Sequence, residues 1–117
     1  MSLDVYLEGQ RPCPHCGRSY EEGQIYWANI THNLNKMASA AGIYEPLWRP
    51  DEIGITTASQ LIPLLEAGLT KLKANPATYE EYNAENGWGM YEHFVPFVEK
   101  YLEACQQNPD ATVRVSR

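Results

Sequence analysis

Two cysteines three positions apart, Cys13 and Cys16, most constrain what this chain can fold into. Pro14 bends the segment between them, and Gly17 lets the backbone turn away behind it. A turn of this kind can bring two thiolates to one metal ion, and Zn²⁺ favours four such ligands in a tetrahedron. The sequence therefore predicts half of a zinc site.

The first predicted helix follows the cysteines and a predicted hairpin, an order that resembles the treble-clef zinc finger. In that arrangement ligands come from a knuckle and from the first turn of the next helix. The resemblance covers residues 13–42 and implies that His32, in that first turn, joins Cys13 and Cys16 as a metal ligand. Asn35 and Lys36 stand where a second helical ligand is expected. The fourth ligand is left open among His15, His93, a carboxylate and water.

An open fourth position on the metal would allow chemistry. Water bound to zinc can titrate near neutrality and attack a polar substrate. The candidate bases for such a small enzyme are Glu45, Asp51 and Glu52, and no spacing singles out one of them.

A thiol oxidoreductase is the other alternative for the same cysteines. Cys-Pro-His-Cys is similar to the active-site motif of bacterial thiol oxidases with a thioredoxin fold. That similarity implies Cys13 as nucleophile and Cys16 as resolving thiol, with His15 stabilising a thiolate. Gly17 and the Glu21-Glu22-Gly23 segment break the long helix that this family needs. The third cysteine, Cys105, falls on an apolar helix face and is expected in the core.

Size and charge bound the class of protein. With 117 residues and 44% hydrophobic content, the chain is predicted to form a single domain over 1–117. Its net charge of −6 argues against nucleic acid as a partner, and Arg11 and Arg18 are too few to form a basic patch. We expect no membrane span and no signal peptide, and the cysteine spacing suits a reducing cytoplasm.

Alternating apolar residues predict strands at both ends of the chain. Leu3, Val5 and Leu7 alternate with polar neighbours, and residues 24–28 are rich in residues that favour strands. Val113 and Val115 predict a last strand beside the first one.

Between these strands the apolar period becomes helical. A first helix is predicted from Ile30 to Gly42, a second over 58–74 behind a Thr57 to Gln60 capping box, a short third over 76–84, and a fourth from Tyr91 to Asn108. Residues 43–55 are predicted to form an ordered loop over the core. The fold class is therefore α+β, with three to four helices packed on one face of a small antiparallel sheet.

Aromatic residues cluster in the predicted loop. Tyr44 and Trp48 belong to the residue types that supply most binding energy at protein interfaces. The sequence thus predicts that the Tyr44 to Pro50 loop is exposed and meets a protein partner.

Several longer motifs run nearly from one end of the chain to the other: Ser2-Leu3-Asp4-Val5-Tyr6-Leu7, Asn29-Ile30-Thr31-His32-Asn33-Leu34, Ala41-Gly42-Ile43-Tyr44-Glu45 with Leu47-Trp48-Arg49-Pro50, Asn86-Gly87-Trp88-Gly89 and Val113-Arg114-Val115-Ser116-Arg117. With these motifs the chain resembles a family of small uncharacterised bacterial and phage-associated proteins. The resemblance implies a cytoplasmic accessory protein, phage- or prophage-encoded, and transfers no catalytic residue. Together with the cysteines it leads to the hypothesis of a zinc-stabilised interaction module.

Overall fold

Three strands form one antiparallel sheet, in a computed structural model that describes residues 2–12, 19–83, 87 and 89–117. For residues 10–12 and 19–24 only the backbone is described. The strands are β1 (Ser2–Pro12), β2 (Ser19–Thr31) and β3 (Thr112–Ser116), in the order β2-β1-β3. The strand predicted at the C-terminal end is therefore confirmed, as is its place beside β1.

The two faces of the sheet differ as the period-2 pattern predicts. Leu3, Val5 and Leu7 of β1 are fully buried, whereas the residues that alternate with them keep part of their surface exposed. One face therefore packs on the core and the other faces outward. We use the name outer face for the solvent side of the sheet, which carries Asp4, Tyr6, Glu8, Trp27, Asn29 and Arg114.

Five α-helices complete the α+β fold: α1 (Asn35–Ala40), α2 (Tyr44–Trp48), α3 (Ala58–Ala74), α4 (Pro76–Glu80) and α5 (Tyr91–Gln107). The predicted first helix is shorter than expected, because β2 continues to Thr31 and a 3-10 turn, His32–Leu34, precedes α1. The long helices α3 and α5 pack on each other, and α5 also contacts β2. Within the described residues no helix combines the length and apolar character needed to cross a bilayer.

The bounds predicted for α3 are confirmed, and the capping box is present at its start. The side chain of Gln60 accepts the backbone N–H of Thr57 at 3.0 Å and that of Thr56 at 2.7 Å. These bonds satisfy amides that the first helical turn would leave without partners. The helix runs on through Pro63, which lies on its exposed side.

The segment predicted as an exposed aromatic loop is different. It holds α2 and a 3-10 turn, Pro50–Ile53, and Pro46, Leu47, Trp48 and Pro50 are buried. Trp48 is only 2% exposed, and Tyr44 stacks on it with ring centroids 5.6 Å apart. The prediction of an exposed partner-binding loop is therefore corrected: burial of these side chains in the core outweighs their use at a surface.

A close approach between Ile43 and Gly68 joins this segment to α3. A Cβ atom added at Gly68 would collide with the Ile43 side chain, so only glycine fits there without movement. Leu47, Leu61 and Leu65 are fully buried around the same junction. The core therefore extends from the sheet through α3 and α5 to α2.

Candidate functional site

The far end of the β1–β2 hairpin extends beyond the third strand. β3 pairs with β1 only from Asp4 to Glu8, whereas β1 and β2 stay paired from Gly9 with Gly23 to Pro12 with Ser19. We call residues 9–12 and 19–24 the distal ribbon. The molecule is elongated, 53 × 26 × 24 Å along its principal axes.

The predicted zinc ligands Cys13 and Cys16 lie outside the described residues, as does His15. They follow Pro12 and precede Ser19 in the chain, the pair that ends the distal ribbon. Among the described residues no cluster of three or more His, Cys, Asp or Glu side chains could hold a metal ion. Zinc binding by the two cysteines therefore stays a prediction.

His32 stands at the opposite end of the hairpin. Its neighbour Thr31 pairs with Ser2, ten residue steps along β1 from the pair of Pro12 with Ser19. At about 3.3 Å per residue this separates the two ends by roughly 30 Å. Because ligands must lie within about 2 Å of a zinc ion, this separation gives no support to one ion shared by His32 and the cysteines. The role of His32 as a zinc ligand beside Cys13 and Cys16 stays a prediction that the described residues do not support.

The His32 ring has a different partner. The indole N–H of Trp48 donates to Nδ1 of His32 at 2.9 Å. Since Nδ1 accepts, the neutral ring carries its proton on Nε2. Nε2 is buried and has no hydrogen-bond partner among the described residues.

A groove of about 1110 Å³ opens beside His32, between β2 and the first turns of α5. Tyr26, Ile30 and His32 line one side, and His93, Phe97 and Lys100 line the other. His93 therefore lies at the His32 end of the hairpin as well. The described lining residues include one lysine and two histidines but no aspartate or glutamate.

The outer face carries a row of large side chains across the three strands. Tyr6 of β1 pairs with Trp27 of β2 on one side and with Arg114 of β3 on the other. The Arg114 guanidinium carbon lies 4.4 Å from the Tyr6 ring centroid, and its Nε lies 3.2 Å from a Glu8 oxygen. Trp27 is 52% exposed, the largest exposed fraction among the described large hydrophobic side chains.

Asp4 of β1 binds the side chains of β2 at one end of this row. Its Oδ1 accepts the indole N–H of Trp27 at 3.2 Å and an amide N–H of Asn29 at 2.8 Å. The Trp27 ring is therefore positioned by a hydrogen bond while much of its surface stays in contact with solvent. Sequence reasoning missed this row, although the alternation in β1 already places Tyr6 outward; the pairing with Trp27 and Arg114 needs the register.

The three candidate bases of the open-zinc hypothesis lie in α2 and in the 3-10 turn that follows it. Glu52 pairs with Arg49 at 2.6 Å, and Asp51 lies 3.7 Å from Arg117. Glu45 is exposed on α2. The open-zinc enzyme thus gains no support from the described carboxylates.

The core position predicted for Cys105 is confirmed. It is a free thiol, fully buried on α5. Burial raises its pKa to about 12, so the reactive thiolate is suppressed at neutral pH. Burial also raises the pKa of the neighbouring Tyr101, and the proximity of Cys105 raises it further.

No family model matches the chain, and neither a curated protein nor a solved structure is significantly similar to it. The resemblance to bacterial and phage-associated proteins therefore stays a prediction.

Proposed function

We propose that this protein is a non-enzymatic interaction module, in which a zinc ion fixes the end of the distal ribbon and a protein partner meets the outer face. The observation that carries the proposal is the row Trp27, Tyr6 and Arg114, which places an exposed aromatic ring on a sheet face that no described element covers.

The distal ribbon supports the zinc part. A two-stranded ribbon without a third strand is marginally stable in water. Residues 9–12 and 19–24 form such a ribbon, and Cys13 and Cys16 are in the segment that joins its strands. A metal bound there would cross-link the turn and lower the cost of ordering it. Two further ligands, from among His15, a nearby carboxylate and water, would complete the four.

The composition of the outer face supports a protein as the partner. Tryptophan, tyrosine and arginine dominate the energetics of protein interfaces. The carboxylates of Asp4 and Glu8 accompany a single guanidinium, that of Arg114, so the face is slightly acidic. The complementary partner presents an apolar centre with basic groups around it. A cytoplasmic, phage- or prophage-associated accessory role agrees with the resemblance of the sequence.

Amide hydrogen exchange tests the zinc part. Chelation, or the double substitution Cys13→Ser and Cys16→Ser, is expected to accelerate exchange in residues 9–12 and 19–24 while residues 2–8 keep their protection. The matched control is Cys105→Ala, which removes the one cysteine outside the motif. Equal protection of the distal ribbon with and without metal would refute the role of zinc.

Photo-crosslinking tests the outer face. A photoreactive side chain at position 29, two residues from Trp27 on the same face of β2, is expected to give a discrete protein adduct in the source cell. A photoreactive side chain at position 66, an exposed position of α3, is expected to give no such adduct. Excess wild-type protein should compete for the adduct, whereas the Trp27→Ala variant should not. An adduct that both competitors remove equally would show that Trp27 does not contribute.

A further inference from the structure

We propose that the groove between β2 and α5 binds a small organic anion, a molecule that joins an aromatic body to a carboxylate or phosphate group. This site shares only Asn29 with the outer face and does not depend on the proposed function. It lies near the His32 end of the hairpin, and its walls come from two elements that the fold holds in contact, β2 and α5.

The sign of the charge is set by the wall that α5 provides. His93, Phe97 and Lys100 are four and three residues apart, so they share one stripe of the helix. Lys100 has no carboxylate partner within the described part of the chain, whereas Lys73 pairs with Glu99 at 3.1 Å. Lys36 and Lys71 also have no carboxylate partner among the described residues, but Lys100 is the lysine that lines the groove, and its ammonium favours an anionic occupant there.

The carboxylates next in sequence to His93 and Lys100 do not reverse this sign. Glu92 lies 3.9 Å from His93, and both side chains are mostly exposed, so their interaction is weak in water. Glu99 is engaged by Lys73. No described carboxylate lines the groove itself, and an anion there would meet no adjacent like charge from these residues.

A second donor comes from the opposite wall. The bond from Trp48 leaves the proton of neutral His32 on Nε2, which lacks a partner within the described ranges. A buried N–H without an acceptor destabilises the fold, because it has lost its hydrogen bond to water. Nε2 itself has almost no exposed surface, so an anionic group in the groove beside His32 accepts this proton only after the atoms that cover Nε2 move aside. The hydrogen bond that it then makes is charge-assisted.

The apolar part of the ligand is set by the aromatic residues. Tyr26 and Phe97 line the groove, and both rings pack against the buried Tyr101, at centroid distances of 6.0 and 6.1 Å. Because Tyr26 and Phe97 both pack against a buried ring, their side chains are held rigidly. Such a wall favours a ligand with a flat ring over one with a flexible chain. The groove volume of about 1110 Å³ is sufficient for a molecule of nucleotide size.

NMR titration of backbone amides tests the proposal. Benzoate, benzamide and benzamidine share one ring but carry a negative charge, no charge and a positive charge, and adenosine monophosphate serves as a second anion. Benzoate and adenosine monophosphate are expected to shift the amides of β2 and α5 along the groove, with dissociation constants of about 1 mM or lower. Benzamide should bind roughly tenfold more weakly, because it lacks the charge. Benzamidine should not bind. Binding of only one of the two anions would support the proposal and assign the carboxylate or the phosphate.

The variant Lys100→Gln is expected to weaken binding of the anion roughly tenfold. The matched control Lys73→Gln should leave binding unchanged, because Lys73 lies outside the groove and is already paired with Glu99. Both lysines are exposed, so both variants should fold. The proposal is overturned if benzamide binds as tightly as benzoate, if Lys100→Gln has no effect, or if neither anion shifts the groove amides at about 10 mM.

Discussion

The indole N–H of Trp48 donates a hydrogen bond to Nδ1 of His32, and this bond joins the end of β2 to the buried helix α2. It accounts for two observations at once. Trp48 can be buried because its polar atom has a partner, and His32 is held in the tautomer that carries its proton on Nε2.

Replacement of Trp48 by phenylalanine tests this relationship. The variant loses a hydrogen bond and part of a buried ring, which together should cost roughly 2–4 kcal/mol of unfolding free energy. In the wild type, ¹⁵N NMR of the neutral His32 ring should show the proton on Nε2, and the variant should show both tautomers. The exposed His93 serves as the internal reference. A wild-type ring protonated on Nδ1 would contradict the bond as assigned.

The contact between Gly68 and Ile43 leads to a second prediction. Alanine normally stabilises a helix relative to glycine by roughly 0.5–1 kcal/mol. At position 68, however, the added methyl group collides with Ile43, so Gly68→Ala should destabilise the fold by about 1–3 kcal/mol.

Chemical denaturation measures this effect, and a double-mutant cycle with Ile43→Ala assigns it. The methyl group added at position 68 should be accepted better once Ile43 is truncated, so the two changes should be less than additive. Strict additivity would mean that the two residues do not collide.

A third prediction concerns Cys105 at high pH. Its pKa is raised by burial to about 12 in the folded protein, against about 8.5 in an unfolded chain. Below the lower value both states keep the proton. Between the two values only the unfolded chain releases it, so the free energy of unfolding falls as pH rises, by at most about 1.4 kcal/mol per pH unit.

Stability measured by denaturant at about pH 7 and about pH 10 checks this sign. The fall between the two should be smaller for Cys105→Ala than for the wild type, because the variant lacks this proton. Groups that do not interact with Cys105 titrate alike in both proteins and cancel in the comparison. Tyr26 and Tyr101, whose pKa values are raised by burial and further by the nearby Cys105, lose the latter part of their shift in the variant, which acts in the same direction. An equal fall in both would show that the thiol is not protected.

Local patterns were sufficient to predict the elements of this fold whose packing follows from their own periodicity. The second predicted helix keeps its bounds as α3 because the capping box and the apolar stripe act within the helix itself. The C-terminal strand is likewise confirmed beside β1. Residues 43–55 are predicted as a loop but contain α2 and a 3-10 turn. Proline and aromatic residues are compatible with either a loop or short helices, and burial against α3 decides between the two.

The candidate sites depended on long-range register, which sequence spacing does not contain. His32 follows the cysteines closely enough in sequence for a treble-clef arrangement. The length of β1 and β2 then places it at the other end of the hairpin from Pro12 and Ser19. The same register places Trp27 and Arg114 on either side of Tyr6, although Trp27 and Arg114 are 87 residues apart in the chain.

The pairing of Arg114 with Tyr6 and Glu8 yields a fourth prediction. Arg114→Ala removes a cation–π contact and an ion pair that are both partly exposed, so it should cost only about 0.5–1.5 kcal/mol. Arg114→Lys should restore part of this loss, since it keeps the charge but not the flat guanidinium. Thermal unfolding in low and high salt checks both variants. A larger loss that is insensitive to salt would point to packing instead of charge.

The zinc content of the purified protein tests the central claim most directly. Protein purified without added metal is predicted to contain about one zinc ion per chain, as a site with four ligands requires. The ion should be absent from the Cys13→Ser, Cys16→Ser double variant and retained in Cys105→Ala. Wild-type protein with far less than one ion per chain, or a double variant that retains it, would contradict the account.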